Sequence, residues 1–259
     1  MFNCYVKPTI FNFTKLTGNI YLFNILMMNV IITGASKGIG KAIAMSFASK
    51  NATLYLCARN EVTLYKTVAE LQLMYPKSSI KAMPVDLSDR ELAKQFGEWC
   101  LKSATPDILI NNAVQNMPGS ICHTSENNLE KMISINLYSA YHLTRIVLPK
   151  MIESKKGHIF NICSVASLQA YNNGGDYSIS KFALMGFSKN LREELKSYNI
   201  KVTSVYPGAV LTDSWGDFDN SDKRIMEAND IAQMISASSL LSPQATVEDI
   251  IIRPQLGDL

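Results

Sequence analysis

The sequence predicts an α/β protein built on a doubly wound parallel sheet of about seven strands, with helices on both faces. Three observations support this fold class. From residue 28 onward, short β-branched runs alternate with amphipathic stretches. The runs are continuously apolar, as are parallel strands that helices cover on both faces. A glycine-rich loop follows the first run, at the end of a strand where sheets of this class bind ligands.

The predicted elements follow the regular order that such a sheet requires. Strands are predicted at 29–33, 53–58, 80–84, 108–111, 158–163, 201–206 and 248–252. Helices are predicted near 38–49, 61–74, 89–102, 125–152, 177–197 and 228–236. No repeat, low-complexity tract or linker interrupts the pattern, so 28–259 is expected to form a single domain. The polar stretch 213–229 is predicted to be a surface loop or lid because it has few apolar residues.

Residues 1–27 form an N-terminal extension with a different character. They carry Lys7 and Lys15 but no acidic residue, and 16–36 is a run of 21 uncharged residues. That run is long enough to span a membrane, but polar residues interrupt it. Its second half is better explained as the first strand and the glycine loop. We therefore favour a non-membrane extension over a membrane anchor. Whether translation naturally starts at Met27 or Met28 stays open.

Composition and charge exclude several classes of protein. The chain has 259 residues, of which 47% are hydrophobic, which excludes global disorder. Lys and Arg total 25 against 22 Asp and Glu, a balance that argues against nucleic acid or an anionic membrane as the main partner. Five cysteines without a CxxC pair favour a reducing, cytoplasmic location over a disulfide scaffold. Three scattered histidines predict no metal site.

The glycine loop after the first strand has the spacing Gly-x3-Gly-x-Gly. It differs from the fingerprint G-x-G-x-x-G and from a P-loop. Such a turn brings a helix N-terminus and its free N–H groups to a phosphate. An ordinary strand–helix turn is the alternative, but the position after the first strand of a parallel sheet favours phosphate binding. The predicted cofactor contacts in the loop are Gly34, Ser36, Lys37, Gly38, Ile39 and Gly40.

The end of the second predicted strand bears on the choice between NAD and NADP. A site for NAD carries an acidic residue there, which binds the ribose hydroxyls. This chain has Arg59 at the junction and Lys37 in the glycine loop, two cations that suit a 2′-phosphate. Glu61 is the competing candidate, but Asn60 is a natural N-cap that would place Glu61 in a first helical turn. We therefore favour NADP over NAD.

Tyr177 and Lys181 are four residues apart on a predicted helix and so share one face. An ammonium beside a phenol is expected to lower the phenol pKa, which would make Tyr177 a usable acid–base near neutrality. Ser164 follows the fifth predicted strand and can meet Tyr177 at the carboxyl edge of the sheet. Ser167 is the competing serine, and Asp176 is a plausible cap for the helix.

Together these residues resemble the short-chain dehydrogenase/reductase family in its compact single-domain form. The resemblance covers 28–259 and implies a Rossmann-like dinucleotide-binding catalytic domain. Ser164 lies thirteen residues before Tyr177, as in the family, and Tyr177-x3-Lys181 is the family signature. The resemblance implies the catalytic set Asn136, Ser164, Tyr177 and Lys181. It also implies cofactor contacts at Asp86, Leu87, Asn112, Tyr177, Lys181, Pro207, Gly208, Val210 and Thr212.

The resemblance has one clear departure. Val114 stands where the family has glycine, so the backbone there is expected to take a different course. The pocket mouth is expected to be polar and to include Gln115, Asn116, Gln169, Asn173, Asp213 and Trp215.

The implied function is an NADP-dependent oxidoreductase that interconverts a carbonyl and a primary or secondary alcohol. The alternatives are a catalytically silent NADP-sensing domain of the same fold and a different Rossmann-like enzyme, such as a methyltransferase. We also expect a homo-oligomer, a tetramer or a dimer, because helix 125–152 is apolar around much of its circumference.

Overall fold

The computed structural model describes residues 28–117 and 119–258. Their seven strands form one parallel sheet in the order β3-β2-β1-β4-β5-β6-β7. The strands are β1 (Asn29–Thr33), β2 (Thr53–Ala58), β3 (Ser79–Pro84), β4 (Ile108–Asn111), β5 (Gly157–Ile162), β6 (Ile200–Pro207) and β7 (Asp249–Ile252). The predicted fold class is confirmed. The strand order reverses between β1 and β4, which opens a crevice at the carboxyl edge of the sheet. The interpretation of residues 1–27 lies outside the described residues.

In the described part of the chain, seven α-helices cover the two faces of the sheet. They are α1 (Gly38–Ala48), α2 (Glu61–Met74), α3 (Arg90–Leu101), α4 (Asn128–Ile133), α5 (Ser139–Ser154), α6 (Gly175–Leu195) and α7 (Ala228–Ser239). Side chains of α1, α2 and α7 share one core with Val30 and Ile32 of β1. Side chains of α3, α5 and α6 share the other core with Ile31. Successive β1 residues thus point to opposite cores, which is why the three central residues of the strand are all apolar. None of the helices within the described ranges is long and apolar enough to cross a membrane.

The helix predicted over 125–152 is three segments in the structure. α4 ends at Ile133, a π-helical turn spans Ser134–Tyr138, and α5 begins at Ser139. Apolar spacing does not reveal a single wide turn, because the residues on either side keep nearly the same face. Asn136 lies within this turn. The prediction of one continuous helix was therefore wrong, and the break occurs at a predicted site residue.

The start of α6 also differs from the expectation. The helix begins at Gly175, which has a φ of +33°, so Asp176 lies inside the first turn instead of capping it. The Asp176 side chain is buried and its Oδ2 accepts a hydrogen bond of 2.7 Å from Asn128 Nδ2. This carboxylate therefore joins α6 to the first residue of α4.

The polar segment between β6 and α7 is fixed at its base. Leu211 N donates to Met226 O at 2.8 Å, and Met226 N donates to Ala209 O at 3.1 Å. A short 3₁₀ turn, Asp213–Trp215, opens the segment. We call residues 213–227 the lid segment, since they lie beside the carboxyl edge of the sheet and contain no α-helix.

Candidate active site

The glycine loop folds into a tight turn between β1 and α1. Gly34 and Gly38 have φ values of +63° and +52°, a conformation that residues with a side chain rarely adopt. A Cβ at Gly40 would lie 2.2 Å from the carbonyl oxygen of Gly34, so the close approach requires glycine. No side chain caps the N-terminus of α1 and its first turn has no acidic residue. The N–H groups of this helix end are therefore suited to an anion.

Asn112 holds the glycine loop from the neighbouring strand. Its Nδ2 donates to the carbonyl oxygens of Thr33 and Gly34, at 2.9 and 3.1 Å. In return, Thr33 Oγ1 accepts hydrogen bonds from the backbone N–H groups of Asn112 and Ala113. The buried amide of Asn112 supports the loop that would make cofactor contacts, and a direct contact of Asn112 with the cofactor stays a prediction.

The structure keeps Arg59 exposed after β2 and places Glu61 in the first turn of α2. Asn60 caps that helix, and its Oδ1 accepts from Thr63 N at 2.9 Å. Glu61 therefore lies where an acidic residue interacts favourably with the helix dipole, as the N-cap interpretation of Asn60 predicted. The second predicted cation, Lys37, forms a salt bridge to Asp213, with 2.9 Å between Nζ and Oδ2.

The predicted adenine contacts follow β3. Asp86 Oδ1 accepts hydrogen bonds from the backbone N–H and the hydroxyl of Ser88, at 3.0 and 2.8 Å. Leu87 is buried in the core that α3, α5 and α6 share. The Leu87 side chain therefore packs inside the protein, beneath the segment that follows β3.

Ser164, Tyr177 and Lys181 meet at the carboxyl edge of β5. Ser164 lies close enough to the Tyr177 phenol to lower its pKa. The Lys181 Nζ lies 5.8 Å from the centre of the Tyr177 ring. This ammonium donates a 2.8 Å hydrogen bond to the carbonyl oxygen of Ile162, the last residue of β5. The spacing that the sequence displayed therefore brings all three groups to one place.

The proton affinities of this pair differ from the sequence-based expectation. Desolvation of the phenol raises the pKa of Tyr177 to about 12, although the neighbouring Ser164 lowers it in part. Burial lowers the pKa of Lys181 to about 8. We expected the pKa of Tyr177 to fall toward neutrality, and for this structure that expectation was wrong. Burial of the phenol is the largest effect, and the Lys181 ammonium, which is hydrogen-bonded to the Ile162 carbonyl oxygen, does not offset it.

Asn136 is connected to the same helix by a residue that sequence reasoning missed. Its Nδ2 donates to Ser180 Oγ at 2.8 Å and to Gln115 O at 3.0 Å. Its Oδ1 accepts from the backbone N–H of Gln115 at 2.8 Å. Ser180 in turn donates to Tyr177 O at 2.7 Å. Asn136 therefore joins the π-helical turn, the loop after β4 and α6 in one network. The sequence offered one signal for Ser180, its position next to Lys181, which was predicted to be catalytic.

The competing serine has a structural explanation. Ser167 is fully buried, and its Oγ accepts a hydrogen bond from the backbone N–H of Ser164 at 3.2 Å. It belongs to a reciprocal cap of the short turn after β5. Ser164 is therefore the serine that faces Tyr177.

The loop after β6 borders the site next to the glycine loop. Gly208 N donates to Ile252 O at 2.8 Å, which fixes the loop that begins at Pro207 to β7. Val210 is buried in the core that includes α1 and α7. A Cβ at Gly38 would lie 3.1 Å from the Thr212 methyl carbon, so this loop and the glycine loop are in near contact. The two predicted cofactor-binding loops thus face each other across the crevice.

Three residues expected near the pocket mouth or the nicotinamide have structural surroundings of their own. Trp215 packs on Phe218 with 5.1 Å between ring centres, so the lid segment contributes an aromatic pair. Asn173 O accepts from Gly119 N at 2.9 Å and serves the loop backbone. Val114 is 47% exposed and its φ is not positive, so this position does not need the glycine that the family has there.

The family model described as short chain dehydrogenase matches residues 28–223. The chain belongs to the short-chain dehydrogenase/reductase family. This family consists of NAD(P)-dependent oxidoreductases, so the chain is an enzyme of that class.

The chain is similar to proteins that match almost all of its described length. A sepiapterin reductase of Chlorobaculum tepidum is 31% identical over 89% of this chain and 97% of its own. An uncharacterised oxidoreductase of Staphylococcus aureus is 28% identical over 86% of this chain and 96% of its own. Among solved structures, a metagenomic short-chain oxidoreductase in complex with NADP superposes with a TM-score of 0.78 and 28% identity, covering 88% of this chain and 97% of that one.

Proposed function

We propose that this protein is an NADP-dependent oxidoreductase that interconverts a carbonyl group and a primary or secondary alcohol, with Tyr177 as the general acid–base. The observation that carries the proposal is the meeting of Ser164, Tyr177 and Lys181 at the carboxyl end of β5, at the same edge of the parallel sheet as the glycine loop that follows β1. This arrangement puts a hydrogen-bond donor and a proton donor where a substrate oxygen can reach both.

The residues around the crevice fit a dinucleotide. The N-terminus of α1 offers uncapped N–H groups to a pyrophosphate. The loops at Gly34–Gly40 and Pro207–Thr212 approach each other over that helix end, and Thr212 closes the gap. When bound, NADP(H) supplies or accepts the hydride. The protein's own groups do the remaining work.

Those groups act on the substrate oxygen. Ser164 donates a hydrogen bond to it and so orients the carbonyl. Tyr177 Oη delivers a proton to the same oxygen in reduction and takes it back in oxidation. A phenol whose pKa is raised to about 12 stays protonated at neutral pH and is ready to act in the reductive direction. The Lys181 ammonium is the nearby charge that stabilises the phenolate formed in that step.

The preference for NADP rests on charge at the adenosine end. Arg59 is exposed at the end of β2 and forms no salt bridge within 28–117 and 119–258. Glu61 is held in the first turn of α2. The metagenomic relative that was solved with NADP supports the same choice.

A cofactor titration tests this preference. We expect NADPH to bind more tightly than NADH, and Arg59→Asp to reverse much of the difference, because a charge-assisted bond to phosphate contributes about 1.5–3 kcal/mol. Fluorescence titration at low salt measures both constants, and Lys77→Asp, a charge reversal on an exposed residue after α2, is the matched control. Equal or tighter binding of NADH by the wild-type protein would contradict the preference.

A substrate panel tests the reaction itself. Aldehydes, ketones and hydroxy acids are mixed with enzyme and cofactor, and the absorbance of NADPH reports turnover. Oxidation or formation of NADPH with at least one compound is expected. A protein that binds NADPH but turns over nothing would favour the silent sensing domain, although such a domain would be expected to lack Tyr177 or Lys181.

A cytoplasmic location is part of the proposal. The four cysteines in the described ranges, Cys57, Cys100, Cys122 and Cys163, are all free thiols. Free thiols in this number suit a reducing compartment.

A further inference from the structure

Lys37 and Asp213 connect two parts of the site that the chain separates widely. Lys37 precedes α1 in the glycine loop, and Asp213 is the first residue of the lid segment. Their side chains form a salt bridge of 2.9 Å, and both are well exposed, at 62% and 64%. The contact lies beside the approach of Thr212 to Gly38. An ion pair therefore closes the outer edge of the gap between the two cofactor-binding loops.

The two cations proposed for the 2′-phosphate differ in whether they already have a carboxylate partner. Arg59 forms no salt bridge in the part of the chain that the structure describes, whereas Lys37 already has a carboxylate partner. A phosphate that binds Lys37 must displace or share it with Asp213. NADH has no phosphate at that position and leaves the pair undisturbed.

We propose that Asp213 is a specificity-determining residue that competes with the 2′-phosphate of NADPH for Lys37. The inference rests on the proposed function, since it requires that Lys37 contacts that phosphate. Binding of NADPH, but not of NADH, exchanges the carboxylate of Asp213 for the phosphate and frees the first residue of the lid segment from the glycine loop. Asp213 thereby weakens the preference for NADPH that Arg59 and Lys37 create.

The size of the effect follows from the exposure of the pair. An exposed ion pair contributes little free energy. Its loss to a competing phosphate dianion therefore changes the affinity for NADPH by about two- to fivefold. Removing a carboxylate also makes the whole site less negative, which favours the pyrophosphate of either cofactor. The difference between NADPH and NADH, measured on the same variant, separates the competition from this general effect.

A double-mutant cycle tests the proposal. Asp213→Asn, Lys37→Met and the double variant are titrated with NADPH and with NADH at low salt, using cofactor fluorescence. Asp217→Asn is the matched control, since it removes the same charge from the same segment and Asp217 has no salt bridge within the described ranges. We expect Asp213→Asn to tighten NADPH binding about two- to fivefold beyond any change for NADH. The same substitution should have no selective effect when Lys37 is already Met.

Several results would overturn the inference. They are an unchanged NADPH affinity in Asp213→Asn, an equal gain for NADH, and a selective gain that persists in the Lys37→Met background. A selective gain in Asp217→Asn of the same size would also overturn it. If the wild-type protein prefers NADPH and Asp213→Asn changes nothing, only this inference fails. If the wild-type protein does not prefer NADPH, the proposed cofactor choice fails with it.

Discussion

Tyr177 and Lys181 occupy the same face of α6, but the surrounding protein shifts their pKa values toward the neutral forms. The pKa of the phenol is raised to about 12 and that of the ammonium is lowered to about 8, in both cases chiefly by burial. Lys181 is 2% exposed, and its ammonium donates to one backbone oxygen, that of Ile162. Near neutrality both groups are protonated, which is the state that the reduction of a carbonyl needs.

These pKa values predict how reduction depends on pH. As the pH rises through about 8, Lys181 loses its proton and its positive charge, so the phenolate of Tyr177 loses its stabilising neighbour. We expect kcat/KM for carbonyl reduction with NADPH to be level below this pH and to fall about tenfold per pH unit above it. The measurement is a pH–rate profile of the free enzyme. In Lys181→Met the residual rate should show no such fall, and a fall that persisted there would assign it to another group.

At the scale of the elements, the position of α6 depends on contacts other than those of Ser164, Tyr177 and Lys181. Asn128 and Asp176 are buried and share a 2.7 Å hydrogen bond that joins α4 to the first turn of α6. Asn136 and Ser180 make a second connection, from the π-helical turn to the next turn of α6. Both bonds help to position the helix that carries Tyr177 and Lys181.

The buried carboxylate of Asp176 gives a prediction about stability. Asp176→Ala leaves the Asn128 amide buried without its acceptor, and an unsatisfied buried group costs about 1–3 kcal/mol. We expect urea denaturation to show a loss of that size in the free energy of unfolding. Asp176→Asn is the matched control, because its carbonyl oxygen can still accept the bond. If both variants lost the same stability, the hydrogen bond would not be the cause.

The elements also show which features the sequence alone can predict. All seven strands and the order of the helices follow from apolar runs and their spacing, because burial on both faces leaves a direct compositional trace. The π-helical turn at Ser134–Tyr138 was missed because one extra residue per turn hardly changes that spacing. The roles of Asp176 and Ser180 were missed because their partners, Asn128 and Asn136, are more than forty residues away in sequence. The raised pKa of Tyr177 comes chiefly from burial of the phenol, which no spacing rule specifies.

At the scale of the whole molecule, apolar side chains remain exposed on two neighbouring helices. Tyr138 and Tyr141, at the junction with α5 and on α5, are 49% and 36% exposed, and Ile179 and Phe182 on α6 are 41% and 39% exposed. Part of the apolar surface of helix 125–152, which we expected to meet a partner, packs instead on another helix of the same chain. Ile146 packs on α3, where a Cβ at Gly97 would lie 2.7 Å from its methyl carbon.

The remaining exposed surface predicts self-association. We expect a homo-oligomer, most simply a tetramer or a dimer, in which these α5 and α6 surfaces meet their copies. Sedimentation at micromolar concentration measures the assembly. Phe182→Glu should weaken it, because the substitution places a charge in an apolar contact, whereas Leu73→Glu, on the exposed face of α2, should not. A monomer at that concentration in the wild-type protein would contradict the expectation.

The central claim is that Tyr177 is the acid–base of an NADP-dependent oxidoreductase, and Tyr177→Phe tests it most directly. The ring remains and the hydroxyl is lost, so we expect NADPH affinity, measured by fluorescence, to stay close to that of the wild type. Turnover on the best substrate of the panel should fall by about 10²–10⁴-fold, the contribution of a positioned acid–base group. Ser180→Ala is a useful comparison, since it removes a hydroxyl from the same helix without removing the proton donor. A Tyr177→Phe enzyme that kept near-wild-type kcat would contradict the account.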